Sequence, residues 1–347
     1  MSAFLAACRG QPAAHTPIWI MRQAGRYLPE YRQLRAKVDF QTLTRRADLA
    51  AEVTLQPLRR FELDAAILFS DIMTPLQGMG VDLSFEPGPV VAQPIRTDAQ
   101  IDALPALVPQ QAVPFVLESI RLIRPALPRG VPLIGFAGGP FTLLCYLVSG
   151  RPSKEFGAAR SFLYSQPDSA ERLLDRLGDA MAAYLGAQAE AGAQALMLFE
   201  SWAGLLAPAE FTRFALRAVH RTVNALRKVT DVPLIYYVNQ GAALMQSVRQ
   251  LDVDVIGVDW RAPLDTCSEM LGSEFALQGN LDPAALFAPP AELQRLADAV
   301  LLAGRGARGH IFNLGHGIWP DTNPDAVARL VDYVHARSGG SGDRHAV

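Results

Sequence analysis

Residues 130–150 read GVPLIGFAGGPFTLLCYLVSG, a stretch of 21 residues without a charged side chain. The stretch is long enough to cross a bilayer, but Pro132, Pro140 and five glycines interrupt it. Residues 131–136 have the short apolar pattern of a buried strand, whereas residues 141–148 have the pattern of a helix. The sequence therefore predicts a buried strand, a glycine-rich turn and a helix here, and no membrane span.

Similar short apolar runs recur along the whole chain, and amphipathic stretches of helical period separate most of them. The runs are continuous rather than alternating, as expected for parallel strands that are buried on both faces. The eight candidate strands are residues 17–21, 65–69, 131–136, 195–199, 233–237, 255–258, 275–278 and 310–314. Eight strand-and-helix units in succession predict an α/β protein that closes into a (β/α)8 barrel of the TIM type.

The clearest helix prediction covers residues 168–192. It opens after Pro167 with an Asp-x-x-Glu spacing that resembles a capping box, and Gly192 ends it. The apolar residues predicted to share its buried face are Leu173, Leu174, Leu177, Met181, Tyr184 and Leu185.

The ends of the apolar runs distinguish the barrel from its main alternative, a doubly wound open sheet with the same alternation. No G-x-G-x-x-G motif follows the first run, and a polar residue follows nearly every run. In a barrel, those ends converge on one mouth, where active sites are built. The polar residues are Arg22, Asp71, Ser201, Asn239, Asp259, Asn280 and His316.

Length and composition indicate one large globular domain. A chain of 347 residues buries roughly three quarters of the surface that its unfolded form exposes, so its core needs no disulfides or metals. The connection between residues 69 and 131 is longer than a normal crossover, and we expect a small hairpin at residues 82–94 rather than a domain boundary. We therefore predict a single domain over residues 1–337 and a disordered Gly/Ser-rich tail over residues 338–347.

The cysteines indicate a reducing compartment. Cys8, Cys145 and Cys267 are odd in number and far apart, without the paired spacing of zinc or redox sites. Neither a secretion signal nor an import sequence is recognisable at the N-terminus, so a cytoplasmic location is expected.

Residues 22–60 form a basic segment in an otherwise slightly acidic chain. The segment contains nine Arg or Lys and four Asp or Glu, a net charge of +5, whereas the whole chain carries −2. Arg22 and Arg26 flank Gln23-Ala24-Gly25 directly after the first predicted strand, and their planar guanidinium groups suit carboxylates. The acidic balance of the chain and the lack of interleaved aromatic residues argue against nucleic acid as the partner.

Residues 17–32, PIWIMRQAGRYLPEYR, closely resemble the first signature of the uroporphyrinogen decarboxylase family. Further blocks that resemble the family follow in order and span nearly the whole chain. They are TLQPLRRFELDAAILFSD at 54–71, GFAGGPFTLLCY at 135–146, FESWAG at 199–204, GNLDP at 279–283 and NLGHGI at 313–318.

The resemblance implies a β/α barrel, a homodimer and an activity. That activity is removal of CO2 from the four acetate side chains of uroporphyrinogen III, which gives coproporphyrinogen III for haem biosynthesis, without metal or organic cofactor. It also implies site residues, with Asp71 as the essential carboxylate and Arg22 and Arg26 as catalytic candidates. The implied substrate-binding residues are Arg22, Gln23, Ala24, Gly25, Arg26, Asp71, Tyr146, Ser201 and His316.

Structural alternatives exist for several of these residues. Asp71 could cap the following turn, Tyr146 could simply pack within an apolar helix, and His316 could be structural within its Gly-His-Gly turn. The residue that delivers a proton to the substrate is open between Arg22, Arg26 and a bound water.

Two other classes of function compete with the decarboxylase. A zinc-dependent, corrinoid-linked methyltransferase on the same barrel would need thiolate ligands in a His-x-Cys arrangement, but Asp265-Thr266 precedes Cys267. A non-catalytic tetrapyrrole binder could keep the arginines but would not need Asp71 at a strand end. Neither the cysteines nor the histidines are spaced in sequence as a metal ligand set.

Overall fold

The structure is a computed structural model that describes residues 2–85 and 88–339. Of the predicted tail, residues 340–347 lie outside the described residues, and residues 338 and 339 are the last two of the final helix.

Nine strands form within the described part of the chain. They are β1 (Ala66–Ile67), β2 (Leu83–Ser84), β3 (Val90–Val91), β4 (Leu133–Gly138), β5 (Ala195–Glu200), β6 (Leu234–Val238), β7 (Val255–Val258), β8 (Ala276–Leu281) and β9 (His310–Leu314).

The main sheet is parallel and curled, with seven strands in the order β1-β4-β5-β6-β7-β8-β9. Each strand pairs with the next main-sheet strand along the chain, and helices separate consecutive strands. Almost every residue of these strands is buried, because helices cover the outer face and side chains fill the inner one. Seven of the eight predicted strands are thus confirmed in position, with boundaries shifted by a few residues.

The first predicted strand, residues 17–21, forms only one parallel bridge, from Ile18 to Phe312 of β9. On its other side, the Asp64 N–H donates to the Ile18 carbonyl at 2.9 Å, just before β1. The segment therefore lies between the two edges of the sheet, but a full eighth strand is not formed.

Side chains explain why this segment makes no regular ladder. Pro17 has no N–H to donate, and the N–H of Ile18 donates to Asp64 Oδ2 at 2.8 Å. The next free donors also go to side chains, since Ile20 N–H donates to Gln23 Oε1 and Met21 N–H donates to Asn313 Oδ1. Backbone groups that a neighbouring strand would use are thus already satisfied.

Seventeen α-helices are present in the described residues. They are α1 (Ala3–Cys8), α2 (Pro29–Arg35), α3 (Phe40–Arg45), α4 (Ala47–Arg60), α5 (Thr74–Gly78), α6 (Asp98–Asp102), α7 (Pro109–Ala112), α8 (Pro114–Ala126), α9 (Pro140–Ser149), α10 (Gly157–Ser165), α11 (Pro167–Ala191), α12 (Pro208–Glu210), α13 (Arg217–Leu226), α14 (Met245–Val248), α15 (Leu264–Leu271), α16 (Pro290–Ala303) and α17 (Pro324–Gly339). Short 3-10 segments cover Ala203–Leu205, Ala242–Leu244, Gly272–Glu274, Pro283–Phe287 and Gly304–Gly306, and a π-helical segment covers Phe211–Leu216.

The prediction for residues 168–192 is confirmed as α11, whose predicted apolar face is buried against α9 and α13. The predicted capping box is wrong. Pro167 is the first helical residue, and the flanking Gln166 makes no side-chain hydrogen bond to the helix. Proline's fixed φ and missing N–H suit the first helical position, so the helix begins before the Asp-x-x-Glu spacing.

Two smaller predictions are also confirmed. The hairpin expected at residues 82–94 is the antiparallel pair β2 and β3, with Leu83 opposite Val91. The uncharged stretch at residues 130–150 is β4, a turn at Gly139 and α9. Within the described ranges, no helix is both long and apolar enough to span a bilayer.

Candidate active site

The predicted polar residues lie after the carboxyl ends of the parallel strands. Asp71 follows β1, Ser201 follows β5 directly, and His316 follows β9. Because the strands are parallel, these residues lie at the same end of the sheet. Tyr146 joins them from α9, the helix that follows β4.

The loop after the first predicted strand exposes two arginines and several backbone donors. Arg22 has a φ of 67°, in the left-handed region that non-glycine residues seldom occupy. Arg22 and Arg26 are exposed, and the N–H groups of Ala24, Gly25 and Arg26 donate to no group in the described part of the chain. Two guanidinium groups and three unused N–H donors suit an anionic ligand.

Gln23 differs from its neighbours in this loop, because its side chain is fully buried. Its Oε1 accepts the Ile20 N–H at 3.0 Å, and its Nε2 donates to the Ala65 carbonyl at 3.0 Å. The side chain therefore links the loop to the start of β1. Gln23, one of the five predicted loop residues, therefore stabilises the conformation of the loop. Its side chain is not presented to a ligand.

Of the two carboxylate oxygens of Asp71, one accepts a hydrogen bond within the described residues and the other does not. Its Oδ1 accepts the Met73 N–H at 2.8 Å in a tight turn, whereas Oδ2 accepts no hydrogen bond from the described residues. Burial raises the pKa of Asp71, and the Met73 N–H and the Arg22 charge oppose that rise. The bond from the Met73 N–H thus stabilises a turn. Asp71 does not cap α5, because that helix begins at Thr74 and Met73 is the residue that flanks it.

Trp202, the residue after Ser201, links the turn that carries Ser201 to Tyr146. The indole Nε1 of Trp202 donates to the Tyr146 hydroxyl at 3.2 Å. Burial raises the pKa of Tyr146, the hydrogen bond from Trp202 lowers it, and the Asp71 charge raises it. Both Tyr146 and Ser201 are partly exposed and free to meet a ligand.

His316 lies between aromatic rings. Its ring stacks on Tyr237 at a centroid distance of 6.2 Å and on Trp260 at 6.4 Å. Burial, with smaller contributions from the Arg22 and Arg261 charges, lowers the pKa of His316 to about 4. The ring is therefore neutral at neutral pH and offers one donor and one acceptor nitrogen.

Tyr237, Trp260 and Arg261 lie beside these candidate residues, and the sequence analysis did not name them as a group around His316. The Tyr237 hydroxyl donates to the Gly315 carbonyl at 2.8 Å, and the Arg261 guanidinium lies over the Trp260 ring at 3.8 Å. Each lies at or just after the end of a predicted strand, a position that could have identified them.

Glu200 is the second omission, although it lies within the quoted block at residues 199–204. Its carboxylate is fully buried and accepts three hydrogen bonds, from the N–H groups of Phe141 and Thr142 at 3.0 Å and from the Thr142 hydroxyl at 2.8 Å. Burial raises the pKa of Glu200 to about 7, against the effect of these bonds. A Cβ at Gly139 would overlap this carboxylate, so only glycine fits there.

The side chains of the remaining predicted strand-end residues form hydrogen bonds with backbone groups. Asp259 accepts the N–H groups of Gly241 and Arg261, and Asn280 donates to the carbonyls of Asp259 and Ala262. Asn239 Nδ2 donates to the Ser201 carbonyl at 3.3 Å. These residues hold the strand ends together.

All three cysteines are buried, and none belongs to a cluster of His, Cys, Asp or Glu in the described ranges. One such cluster does occur there, formed by His15, Asp64 and His335. It lies before β1, at the amino ends of the strands, opposite to Asp71. His15 is 49 residues and His335 is 271 residues from Asp64 along the chain. Spacing in the sequence therefore did not predict the cluster.

The fold is similar to that of a solved methyltransferase from Methanosarcina mazei, with a TM-score of 0.82 over 96% of this chain and 98% of that chain. At 21% identity, this similarity concerns the fold alone.

Sequence comparisons are more specific. The uroporphyrinogen decarboxylase (URO-D) family model matches residues 1–337. A uroporphyrinogen decarboxylase from Syntrophotalea carbinolica is 48% identical over 96% of each chain, and one from Streptomyces avermitilis is 47% identical over 97% of this chain and 95% of its own. The chain belongs to the uroporphyrinogen decarboxylase family, as the signature at residues 17–32 predicts.

Proposed function

We propose that this protein is a carboxy-lyase that converts the four acetate side chains of uroporphyrinogen III to methyl groups. The products are coproporphyrinogen III and CO2, formed in tetrapyrrole (haem) biosynthesis without a cofactor. Membership of the family supports the activity. The observation that carries the assignment of a mechanism is the Asp71 carboxylate at the carboxyl end of the sheet, whose Oδ2 accepts no hydrogen bond from the described residues and whose raised pKa the Arg22 charge opposes.

The chemistry requires an electron sink. Loss of CO2 leaves an electron pair on the former acetate carbon, and a neutral pyrrole does not accept it. If the pyrrole is first protonated on a ring carbon, the resulting cation accepts the pair as CO2 leaves and becomes an exocyclic methylene; the exocyclic carbon then takes up a proton, and loss of the ring-carbon proton restores the pyrrole.

Asp71 would stabilise the cationic pyrrole. Its Oδ2 can accept from pyrrole N–H groups, and this bond strengthens when the ring becomes positively charged. Because Met73 fixes Oδ1, the carboxylate is already oriented before the substrate arrives. An interaction that is stronger in the transition state than in the ground state accelerates the reaction.

The carboxylates of the substrate would meet the loop at residues 22–26. Arg22 and Arg26 supply charge, and the N–H groups of Ala24 and Gly25 supply additional donors. Tyr146, Ser201 and the neutral ring of His316 provide hydrogen bonds around the rest of the ligand.

We also infer that residues 17–21 act as the eighth strand, so that the domain over residues 1–337 is a closed barrel. The bridge to Phe312 and the Asp64 bond to Ile18 support this inference. The same proposal places the protein in the cytoplasm. It includes no nucleic acid among the partners.

Incubation of the purified protein with uroporphyrinogen III under reducing conditions tests the function. We expect chromatography of the oxidised products to show intermediates with seven, six and five carboxylates and finally coproporphyrin. A zinc-dependent methyltransferase or a tetrapyrrole binder would leave uroporphyrin unchanged. Release of no CO2 would therefore contradict the proposal.

Arg22→Lys should raise KM about tenfold with a smaller change in kcat, because a point charge replaces a fork that donates two parallel bonds. Steady-state kinetics with uroporphyrinogen III measures both constants. Arg45→Lys is the matched control, since Arg45 is exposed in the same basic segment and bonds Gln77. An unchanged KM in Arg22→Lys would remove Arg22 from the carboxylate site.

The homodimer is a further part of the proposal. Phe287 and Trp319 are 51% and 49% exposed, and their rings contact each other at a centroid distance of 5.6 Å after β8 and β9. Contiguous exposed apolar side chains mark candidate contact surfaces, and this pair is the basis for placing the interface here. Sedimentation should therefore report about twice the chain mass of 37.6 kDa, and Trp319→Glu should shift the equilibrium towards the monomer. A fully active wild-type monomer would contradict this.

A further inference from the structure

We propose that His15, Asp64 and His335 form a binding site for a divalent transition-metal ion such as Zn2+, separate from the candidate active site. His15 Nε2 lies 2.7 Å from Asp64 Oδ1, and His335 Nε2 lies 2.8 Å from Asp64 Oδ2. The potential ligand atoms of all three residues lie within 4.8 Å of one another. Two imidazoles thus face one carboxylate, one at each oxygen.

These side chains are suitable ligands. Neutral imidazole nitrogen and carboxylate oxygen are ligands of Zn2+, which accepts three protein ligands plus a water. Without metal, each Nε2 shares a hydrogen bond with the carboxylate. Around a tetrahedral zinc ion, ligand atoms stand about 3.3 Å apart, so each nitrogen would move from its oxygen by about half an ångström.

The surroundings favour a preformed site. The Ile18 N–H donates to Asp64 Oδ2 at 2.8 Å, which orients the carboxylate in the way that outer hydrogen bonds orient metal ligands. The two histidine rings contact each other edge to face at 4.6 Å, so their planes are held by packing. The ligand geometry is thus restrained by groups other than the ligands themselves.

A metal ion and a water ligand have access to this site. The side chains of His15, Asp64 and His335 are 27%, 14% and 22% exposed. A cavity of about 710 Å³, lined by residues that include His15, Thr16 and Ser338, opens beside it.

Arginine side chains around the cavity would repel a cation, but two of them are engaged by other groups. Arg337 pairs with Asp298 at 2.9 Å, and Arg308 donates to the carbonyls of Arg9 and Glu274. The Arg337 charge is therefore compensated by Asp298, and the Arg308 guanidinium is held by two backbone carbonyls. We expect binding to be reversible rather than permanent.

The bound ion would join the two ends of the chain. His15 belongs to the N-terminal segment, His335 to α17, and Asp64 precedes β1. Because the cluster is at the amino ends of the strands, the ion would stabilise the fold and take no part in the reaction at Asp71. Anything that binds only the folded state raises its melting temperature.

Zinc titration of the whole chain, freed of metal by a chelator, tests the proposal. Calorimetry should report one Zn2+ per chain, and zinc should raise the melting temperature. His15→Gln and His335→Gln should each weaken binding at least tenfold. His220→Gln, at a half-buried histidine of α13, is the matched control and should bind zinc like the wild type.

A second measurement uses the wild type alone and does not depend on the folding of variants. Zinc should protect His15 and His335, but not His220, from modification by diethyl pyrocarbonate, as read by mass spectrometry of peptides. Absence of zinc binding would overturn the proposal. Equal binding by both glutamine variants, or no protection of His15 and His335, would also overturn it by assigning the ion to other residues.

Discussion

Asp71→Asn should lower kcat by roughly a hundredfold to a thousandfold at similar KM, since loss of one preorganised electrostatic partner costs about 3 to 4 kcal/mol in the transition state. The substitution removes the charge and little else. An asparagine Oδ1 can still accept the Met73 N–H, so the turn after β1 is retained. Thermal melting should therefore differ little from the wild type, while steady-state assays show the loss of turnover.

Asp39→Ala is the control for a purely structural aspartate. Asp39 caps α3, where its Oδ1 accepts the Thr42 N–H at 2.9 Å. Loss of a helix cap lowers the free energy of unfolding by about 1 kcal/mol without affecting the active site. If Asp71→Asn instead behaves like Asp39→Ala, with a lower melting temperature and normal turnover, Asp71 is structural and the charge-stabilisation mechanism is wrong.

Apolar pattern and strand position were predictable from the sequence, but backbone pairing was not. The run at residues 17–21 has the composition of the other strands, yet its N–H groups donate to Asp64, Gln23 and Asn313. Such competition by side chains depends on residues up to 292 positions away, which no local pattern reveals.

The candidate site likewise contains residues that could be predicted from the sequence and residues that could not. Residues that follow apolar runs, such as Asp71 and His316, could be identified because strand ends meet at one mouth. The role of Gln23 could not, because its neighbours Ala24 and Gly25 suggest an exposed loop while its amide points into the core. Glu200 was missed because an acidic residue at the end of a strand gives no sign of burial.

Glu200→Gln should show a stability difference from the wild type that depends on pH. Burial raises the pKa of Glu200 from 4.5 to about 7, so the folded protein holds this proton more tightly than the unfolded chain. The resulting stabilisation is fully present below pH 4.5 and is lost as pH rises to about 7. A shift of this size corresponds to about 3 kcal/mol, which glutamine cannot contribute because it does not titrate.

Urea unfolding of both proteins across this pH range measures the effect. The wild type should lose about 3 kcal/mol relative to Glu200→Gln between acidic and neutral pH, and Glu118→Gln on the exposed face of α8 should follow the wild type. The same carboxylate fixes the start of α9 and, through Thr142, which also accepts the Trp202 N–H at 3.3 Å, the turn that carries Ser201. Turnover of Glu200→Gln should therefore fall as well, and more in kcat than in KM. If the two stability curves run parallel with pH, folding does not raise the pKa of Glu200, and the predicted pH dependence is wrong.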